Sequence, residues 1–214
     1  MRLYDYVASG NCYKARLLLA QLERSYERVA VDIFAGDTLA EDFAAKNPAR
    51  TTPVLETDDG RYLQESNAIL WYLADGTQLL PDDPLDRAHV LRWLIIEQTD
   101  VMPGIGGLRF RLITRRWRAD DPQALRRREL GVEALRMLEE HLAERSFLVA
   151  DLYSIADIAV YAYAHVAPEA GFDLDEFPVV SDWLRRVEAT PRFMNDLEPY
   201  PPNADAGAGT SLYG

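Results

Sequence analysis

The stretch Thr51-Thr52-Pro53-Val54-Leu55, followed ten residues on by Glu65-Ser66-Asn67-Ala68-Ile69, decides how the first part of this chain is built. Proline cannot donate to a strand ladder, so it is confined to strand starts, edges and turns, and Pro53 reads as the residue that opens a strand. If the Thr52–Pro53 bond is cis, the chain turns there and leaves the Thr52 N–H and C=O open to an extended peptide; a trans proline at an ordinary strand start is the plainer alternative. Ser66 reads as the N-cap of a helix over 66–74, whose free N–H groups and positive end suit a carboxylate. Glu65, immediately before it, suits an ammonium group. A carboxylate receiver beside an ammonium receiver fits the α-amino-acid end of a ligand, although a capped helix next to a glutamate is also a common structural arrangement.

Outward from this core the first eighty residues alternate in type. Residues 2–7 read as a strand, and 13–22 as a helix with Ala15, Leu18, Leu19 and Leu22 on one face. Residues 28–33 read as a second strand. Strands over 54–56 and 61–63 flank Thr57-Asp58-Asp59-Gly60, whose Asp-Gly step predicts a hairpin. The strands joined through the helix are expected to be parallel and the hairpin antiparallel, giving a small α/β layer. From Pro81 onward strand signals cease, and helices are expected near 86–114, 122–144, 154–167 and 179–189. The division that follows is an α/β domain over 1–76, a linker over 77–85, an all-helical domain over 86–198 and a surface tail over 199–214. Met102-Pro103-Gly104-Ile105-Gly106-Gly107 interrupts the second-domain pattern and predicts a bend.

Bulk composition narrows the function. The 214 residues are 48% hydrophobic, enough for a substantial core, and the formal net charge of −12 argues against a nucleic-acid binder, which needs clustered positive charge. One cysteine cannot form an internal disulfide, which suits a reducing compartment. No secretory signal is read at the start. The most apolar stretch, 155–167, is too short for a bilayer span and carries Asp157 and His165. A cytoplasmic protein with no membrane partner is expected, and no metal site.

The remaining candidate chemistry lies in Ser9-Gly10-Asn11-Cys12-Tyr13-Lys14, where the first strand gives way to a helix. A serine hydroxyl at that junction can donate to a ligand thiolate, helped by the helix dipole. Cys12 falls in the first turn, where its own thiolate would be favoured by the same dipole. On the residues alone both remain open.

Taken together, Ser-x-Asn-Cys-x-Lys, the stretch Asn47-Pro48-Ala49-Arg50-Thr51-Thr52-Pro53-Val54-Leu55, the stretch Glu65-Ser66-Asn67-Ala68-Ile69-Leu70-Trp71-Tyr72-Leu73 and the helical half resemble the cytosolic glutathione S-transferases over roughly residues 1–198. Ser154-Ile155-Ala156-Asp157-Ile158 resembles the family's capping motif, and it is a capping box by its own logic, with a folding role. The resemblance implies a thioredoxin-like N-terminal domain followed by an all-α C-terminal domain, and a cis bond before Pro53. It implies glutathione as co-substrate, with the Thr52 backbone on its cysteinyl part and Glu65 and Ser66 on its γ-glutamyl end. Ser9, five positions before Lys14, matches the bacterial-type serine classes such as theta, zeta and nu. It is therefore the expected thiolate-stabilising group, with Asn11 contributing its amide and Cys12 kept as the alternative. Two departures stand out. Ala49-Arg50-Thr51 replaces the usual glycine step, and no family-like cation for the glycyl carboxylate is evident, which leaves Arg50 either as that residue or as a solvated loop arginine.

The implied activity is transfer of glutathione to a small electrophile. Alternatives are a glutathione-dependent disulfide or peroxide reductase, an isomerase, or a non-catalytic binding domain of the same fold. A homodimer is implied, with Asp100 a candidate for reaching the partner's ligand. Eight arginines between 109 and 128 suggest either ion pairing within the helices or a positive rim centred on Arg109 that favours an anionic second substrate.

Overall fold

A computed structural model describes residues 1–213 as two compact units, one formed by 1–73 together with 194–213 and the other by 74–193. In the first, β1 (Arg2–Asp5) leads into α1 (Gly10–Gln21) and returns as β2 (Glu27–Ala30), a parallel pair joined by its crossover helix. A single short turn, α2 (Glu41–Ala44), precedes β3 (Val54–Glu56) and β4 (Tyr62–Gln64), and α3 (Ser66–Ala74) follows. The sheet order is β2-β1-β3-β4, with β3 antiparallel to both neighbours. The hairpin turns through Gly60 at φ 79°, which suits the Asp-Gly signal. This is the expected thioredoxin-like arrangement, with strands somewhat shorter than the alternation predicts.

The helix α1 differs from a one-sided amphipathic helix. Residues 12–19 are all buried, including Lys14 and Arg16, so the helix runs through the interior rather than along a surface. Arg16 explains why the chain returns. Its Nη1 donates to Asp5 Oδ1 at 2.6 Å and its Nε to Asp196 Oδ1 at 2.9 Å, while Arg28 takes the other Asp5 oxygen. A buried guanidinium needs such partners, since an unpaired charge there costs several kcal/mol. Tyr13 Oη donates to the Met194 carbonyl at 2.8 Å. The segment read as a surface tail from residue 199 is therefore folded onto this unit. Asn203 Nδ2 donates to Asp32 Oδ2 at 2.8 Å, the Thr210 N–H donates to the Phe34 carbonyl at 2.8 Å, and Ala204 is buried, although much of the segment remains exposed. Residue 214 of that predicted tail lies outside the described residues.

In the second unit, α4 (Pro84–Ile96) starts where Asp83 Oδ1 accepts the Leu85 and Asp86 N–H groups, with Pro84 at the first helical position. At the predicted bend the helix is widened. Residues Glu97–Gly106 wind with i→i+5 turns around Pro103, which lacks the N–H an α-helix needs there, and α5 (Gly107–Ile113) continues. The next helix, α6 (Pro122–Leu142), packs against this segment closely enough that a Cβ on Gly104 would lie 2.6 Å from the Gly131 backbone nitrogen. The central α7 (Ile155–Ala164) is buried at every position, and α8 (Pro178–Glu188) lies beside it. The expected linker is tied down: Leu79 and Leu80 are buried, and the Leu79 carbonyl accepts from the Ile155 N–H at 3.0 Å. No helix among the described residues is long and apolar enough to cross a membrane.

In the arginine-rich region at least four of the eight arginines have internal partners. Arg109 is buried and donates to Glu169 Oε2 at 2.8 Å, Arg111 lies over Trp117, Arg116 over Phe110, and Arg128 over Phe172. Of the two readings, pairing within the helices accounts for these side chains, and Arg109 offers no free charge to a rim.

Candidate functional site

The loops at the ends of β1, β3 and β4 converge on one recess in the first unit. Ser9 and Asn11 from the start of α1, Thr51, Thr52 and Pro53 before β3, and Glu65 and Ser66 at the start of α3 all line it. Ile33 and Tyr213 complete the wall.

Ser9 caps α1. Its backbone carbonyl accepts the Tyr13 N–H at 2.9 Å and its Oγ accepts the Cys12 N–H at 3.3 Å. Its hydroxyl thus lies on the wall of the recess, beside the positive end of a twelve-residue helix, and within hydrogen-bonding reach of Cys12. Cys12 sits three residues further on and is fully buried. Its Sγ accepts from the Tyr6 N–H at 3.4 Å. Burial, aided by the nearby Asp5 charge, pushes its thiol up to about 12 against hydrogen bonds from Thr52, Tyr6 and Ser9. Burial and the raised pKa both disfavour the thiolate form that a nucleophile needs. Iodoacetamide at pH 8 is accordingly expected to leave Cys12 unmodified in the folded protein and to modify it in denaturant, as intact mass would show; rapid labelling of the native protein would return Cys12 to the chemistry.

Beneath the recess lies a feature the sequence does not announce. Lys14 is fully buried, and its Nζ donates to Asn11 Oδ1 at 3.0 Å, Ser66 Oγ at 3.4 Å and Asn67 Oδ1 at 3.4 Å. Ser66 Oγ in turn donates to Asn11 Oδ1 at 3.1 Å. One ammonium thus links the first turn of α1 to the first turn of α3. With its oxygen doubly engaged, Asn11 has its amide N–H groups left for the recess. The Ser66 hydroxyl is used in this network and does not cap α3. The cap position belongs to Glu65, whose carbonyl accepts the Ile69 N–H at 2.9 Å. Glu65 is held at φ 67°, a left-handed backbone that costs a side-chain-bearing residue of order 1 kcal/mol and that recurs at functional sites.

The Thr52–Pro53 peptide bond is cis. Among the described residues the Thr52 N–H and C=O enter no backbone hydrogen bond, because the ladder with β1 and β4 begins at Val54. An unpaired donor and acceptor on one half-buried residue at the recess wall form a ready edge for one extended peptide unit.

Arg50 is elsewhere. Its guanidinium donates to the Thr38 and Leu39 carbonyls and to Glu41 Oε1 at 2.9 Å, and it does not line the recess. At φ 55° in the turn after Asn47, it clamps the 38–41 segment. In this structure its guanidinium is held by that segment and not by the recess. None of the residues lining the recess is basic. Asp100, on the widened helix, accepts from Thr99 Oγ1 at 2.5 Å.

An α/β unit of the thioredoxin type carrying an N-capped serine, an open backbone edge before a cis-proline and a Glu-Ser step, with a helical unit after it, defines a thiol-peptide-binding class of protein. Residues 3–77 match the model of the glutathione S-transferase N-terminal domain and residues 101–191 that of its C-terminal domain. The chain belongs to the glutathione S-transferase family.

Among solved structures, a glutathione S-transferase from Pseudomonas fluorescens [Pf-5] is 45% identical with a TM-score of 0.88, covering 92% of this chain and 98% of that one. A glutathione transferase from Pseudomonas putida, solved with one glutathione disulfide bound per subunit, is 28% identical with a TM-score of 0.79 over 89% and 87%. Among curated relatives, a maleylacetoacetate isomerase of Rhizobium meliloti is 32% identical over 89% of this chain and 92% of its own length. The disulfide-bond oxidoreductase YfcG of Escherichia coli is 28% identical over 87% and 89%. Elongation factor 1-gamma of Artemia salina is 29% identical over 79% of this chain, which spans only 40% of that protein.

Proposed function

We propose that this chain is a glutathione transferase that activates the thiol of bound glutathione for attack on a small electrophile, working as a cytoplasmic homodimer. The observation that carries the reading is the grouping in one recess of the serine that caps α1, the unpaired Thr52 backbone and the Glu65-Ser66 step. Glutathione supplies the reactive sulfur. Glu65 and the first turn of α3 hold its α-amino-acid end, Thr52 pairs with its cysteinyl peptide, and the Ser9 hydroxyl donates to the sulfur while Asn11 donates from the side. Cys12 supports this turn from within. A free thiol has a pKa of about 8.5, so lowering it by two units takes roughly 2.7 kcal/mol. A charge-assisted hydrogen bond of about 1.5–3 kcal/mol plus a helix dipole of about 0.3–1 kcal/mol is enough. The thiol proton passes to solvent, and the new S–C bond replaces the electrophile's leaving group or adds across its double bond.

The similarity to an isomerase and to a disulfide-bond oxidoreductase supports a second reading, in which the same Ser9-held sulfur serves reversible addition to a double bond or exchange with a disulfide. Similarity to elongation factor 1-gamma keeps a non-catalytic binding domain as a third. Calorimetry with glutathione up to millimolar concentration separates the ligand-binding readings from failure of all of them. Binding in the micromolar to millimolar range is expected, and no heat at millimolar ligand would sink the proposal. Turnover assays with an aryl halide, a cis-enedione acid and a mixed disulfide then rank the three chemistries.

A further inference from the structure

We infer that Tyr213 forms the wall of the ligand site that meets the glycyl end of glutathione, and that the returning 194–213 segment is there to deliver it. The inference rests on the glutathione reading and adds a specificity-determining residue to it. If Glu65 and Ser66 take the γ-glutamyl end and Thr52, Ser9 and Asn11 the cysteine, the lining residues left for the third residue of the tripeptide are Ile33, Thr51, Pro53 and Tyr213. None is charged; of the two cations nearby in sequence, Arg50 is engaged by the carbonyls of the 38–40 turn and by Glu41, and Lys46 Nζ donates to the Asp42 carbonyl at 2.7 Å. The glycyl end therefore meets an aromatic ring and neutral donors.

The segment carrying Tyr213 is seated and not merely adjacent. The Thr210 N–H donates to the Phe34 carbonyl at 2.8 Å, and Thr210 pairs with Ala35 as a parallel bridge. Asn203 Nδ2 donates to Asp32 Oδ2 at 2.8 Å, so both ends of the 32–35 loop are held. Gly209 passes so close that a Cβ there would lie 2.6 Å from the Phe34 carbonyl oxygen, an approach only glycine permits. The rings continue the seat. Tyr213 lies 6.4 Å from Phe34, Phe34 5.8 Å from Tyr6, and Tyr6 6.4 Å from Tyr200. Ile33, beside Phe34 in this loop, lines the recess together with Tyr213, so the segment and the loop close one side of the site as a unit. A flat ring offers its face to a peptide plane at low entropic cost, having only two side-chain torsions to fix.

The test compares two ligands, glutathione and γ-glutamylcysteine, which lacks the glycine, by calorimetry on the wild type, Tyr213→Ala and Tyr213→Phe. Tyr213 is 47% exposed, so its removal leaves the core intact. The wild type is expected to prefer glutathione. Tyr213→Ala should weaken glutathione about tenfold, a loss of ~1.4 kcal/mol, and γ-glutamylcysteine less than twofold. Tyr213→Phe should stay within about threefold of wild type for both, which marks the ring as the contact. If Tyr213→Ala leaves glutathione affinity unchanged, or weakens both ligands equally, the assignment falls while the glutathione reading stands. If the wild type binds neither ligand, the underlying reading falls and takes this one with it.

Discussion

Replacing Ser9 with alanine is expected to lower kcat/KM with glutathione and an aryl halide by about 10- to 100-fold at pH 7, the kinetic equivalent of losing one charge-assisted hydrogen bond of about 1.5–3 kcal/mol. The same substitution also removes the cap on α1, where Oγ accepts the Cys12 N–H at 3.3 Å, at a cost to stability of about 1 kcal/mol. The pH profile separates the two effects. If Ser9 holds the thiolate, the alanine variant's activity should titrate with a pKa near that of a free thiol, about 8.5, and recover part of the loss in alkaline buffer, whereas a purely structural defect would lower the whole profile evenly. Ser9→Thr keeps the hydroxyl and should restore most of the rate. Cys12→Ala should leave the profile in place, since its sulfur is buried with its thiol pushed up to about 12. A larger loss from Cys12→Ala than from Ser9→Ala would reverse the roles and make the protein a cysteine-type thiol transferase.

The sequence displays local structure well and long-range pairing poorly, and this chain shows where the line falls. The helices, the Asp-Gly hairpin and the Ser154–Asp157 box are written in neighbouring residues, so their positions were legible to within a few residues. The residue set Ser9, Asn11, Thr52, Pro53, Glu65 and Ser66 does come together, because each stands at the end of a strand or the start of a helix and the sheet order brings those ends to one side. Lys14 was harder, since a lysine on a helix normally faces water. Its burial depends on Asn11 beside it and on Ser66 and Asn67 more than fifty positions away. Asp196 meets Arg16 across 180 positions, and Tyr213 reaches the recess only because Phe34 accepts from Thr210, so nothing local marks 194–213 as more than a surface tail. Arg50 is the opposite case: it is near the site in sequence, but it does not line the recess, and its guanidinium is held by the Thr38 and Leu39 carbonyls and Glu41. Pro103 and its flanking glycines announced an interruption, and the helix widens its turn across them.

Asp157→Ala is expected to destabilise the protein by about 3–5 kcal/mol, a large share of the roughly 5–15 kcal/mol that holds a typical domain folded. The carboxylate is fully buried in the helical unit and satisfies donors from three elements. Oδ1 accepts the Leu148 N–H and the Trp183 indole N–H, each at 3.0 Å, and Oδ2 accepts the Ser154 N–H at 3.0 Å and the Ser154 hydroxyl at 3.2 Å. Alanine leaves the Leu148 and Ser154 N–H groups and the Trp183 indole buried without an acceptor, each costing about 1–3 kcal/mol, and opens a void besides. Asp157→Asn keeps the shape but turns an NH2 group toward one pair of donors, so roughly half the loss is expected. Burial outweighs the four donors and raises the Asp157 carboxyl to about 6. With the folded pKa above the ordinary carboxylate value of about 3.9, the group's contribution is full below that value and is lost as pH climbs through about 6. Asparagine does not titrate, so the gap between wild type and Asp157→Asn should narrow from pH 4 to pH 7. Urea unfolding followed by tryptophan fluorescence reads both effects, because Trp93, Trp117 and Trp183 all lie in the helical unit. A loss below about 1 kcal/mol for the alanine variant, or a gap that widens with pH, would show that α7 is held by its apolar packing and that the Ser154–Asp157 box is only its decoration.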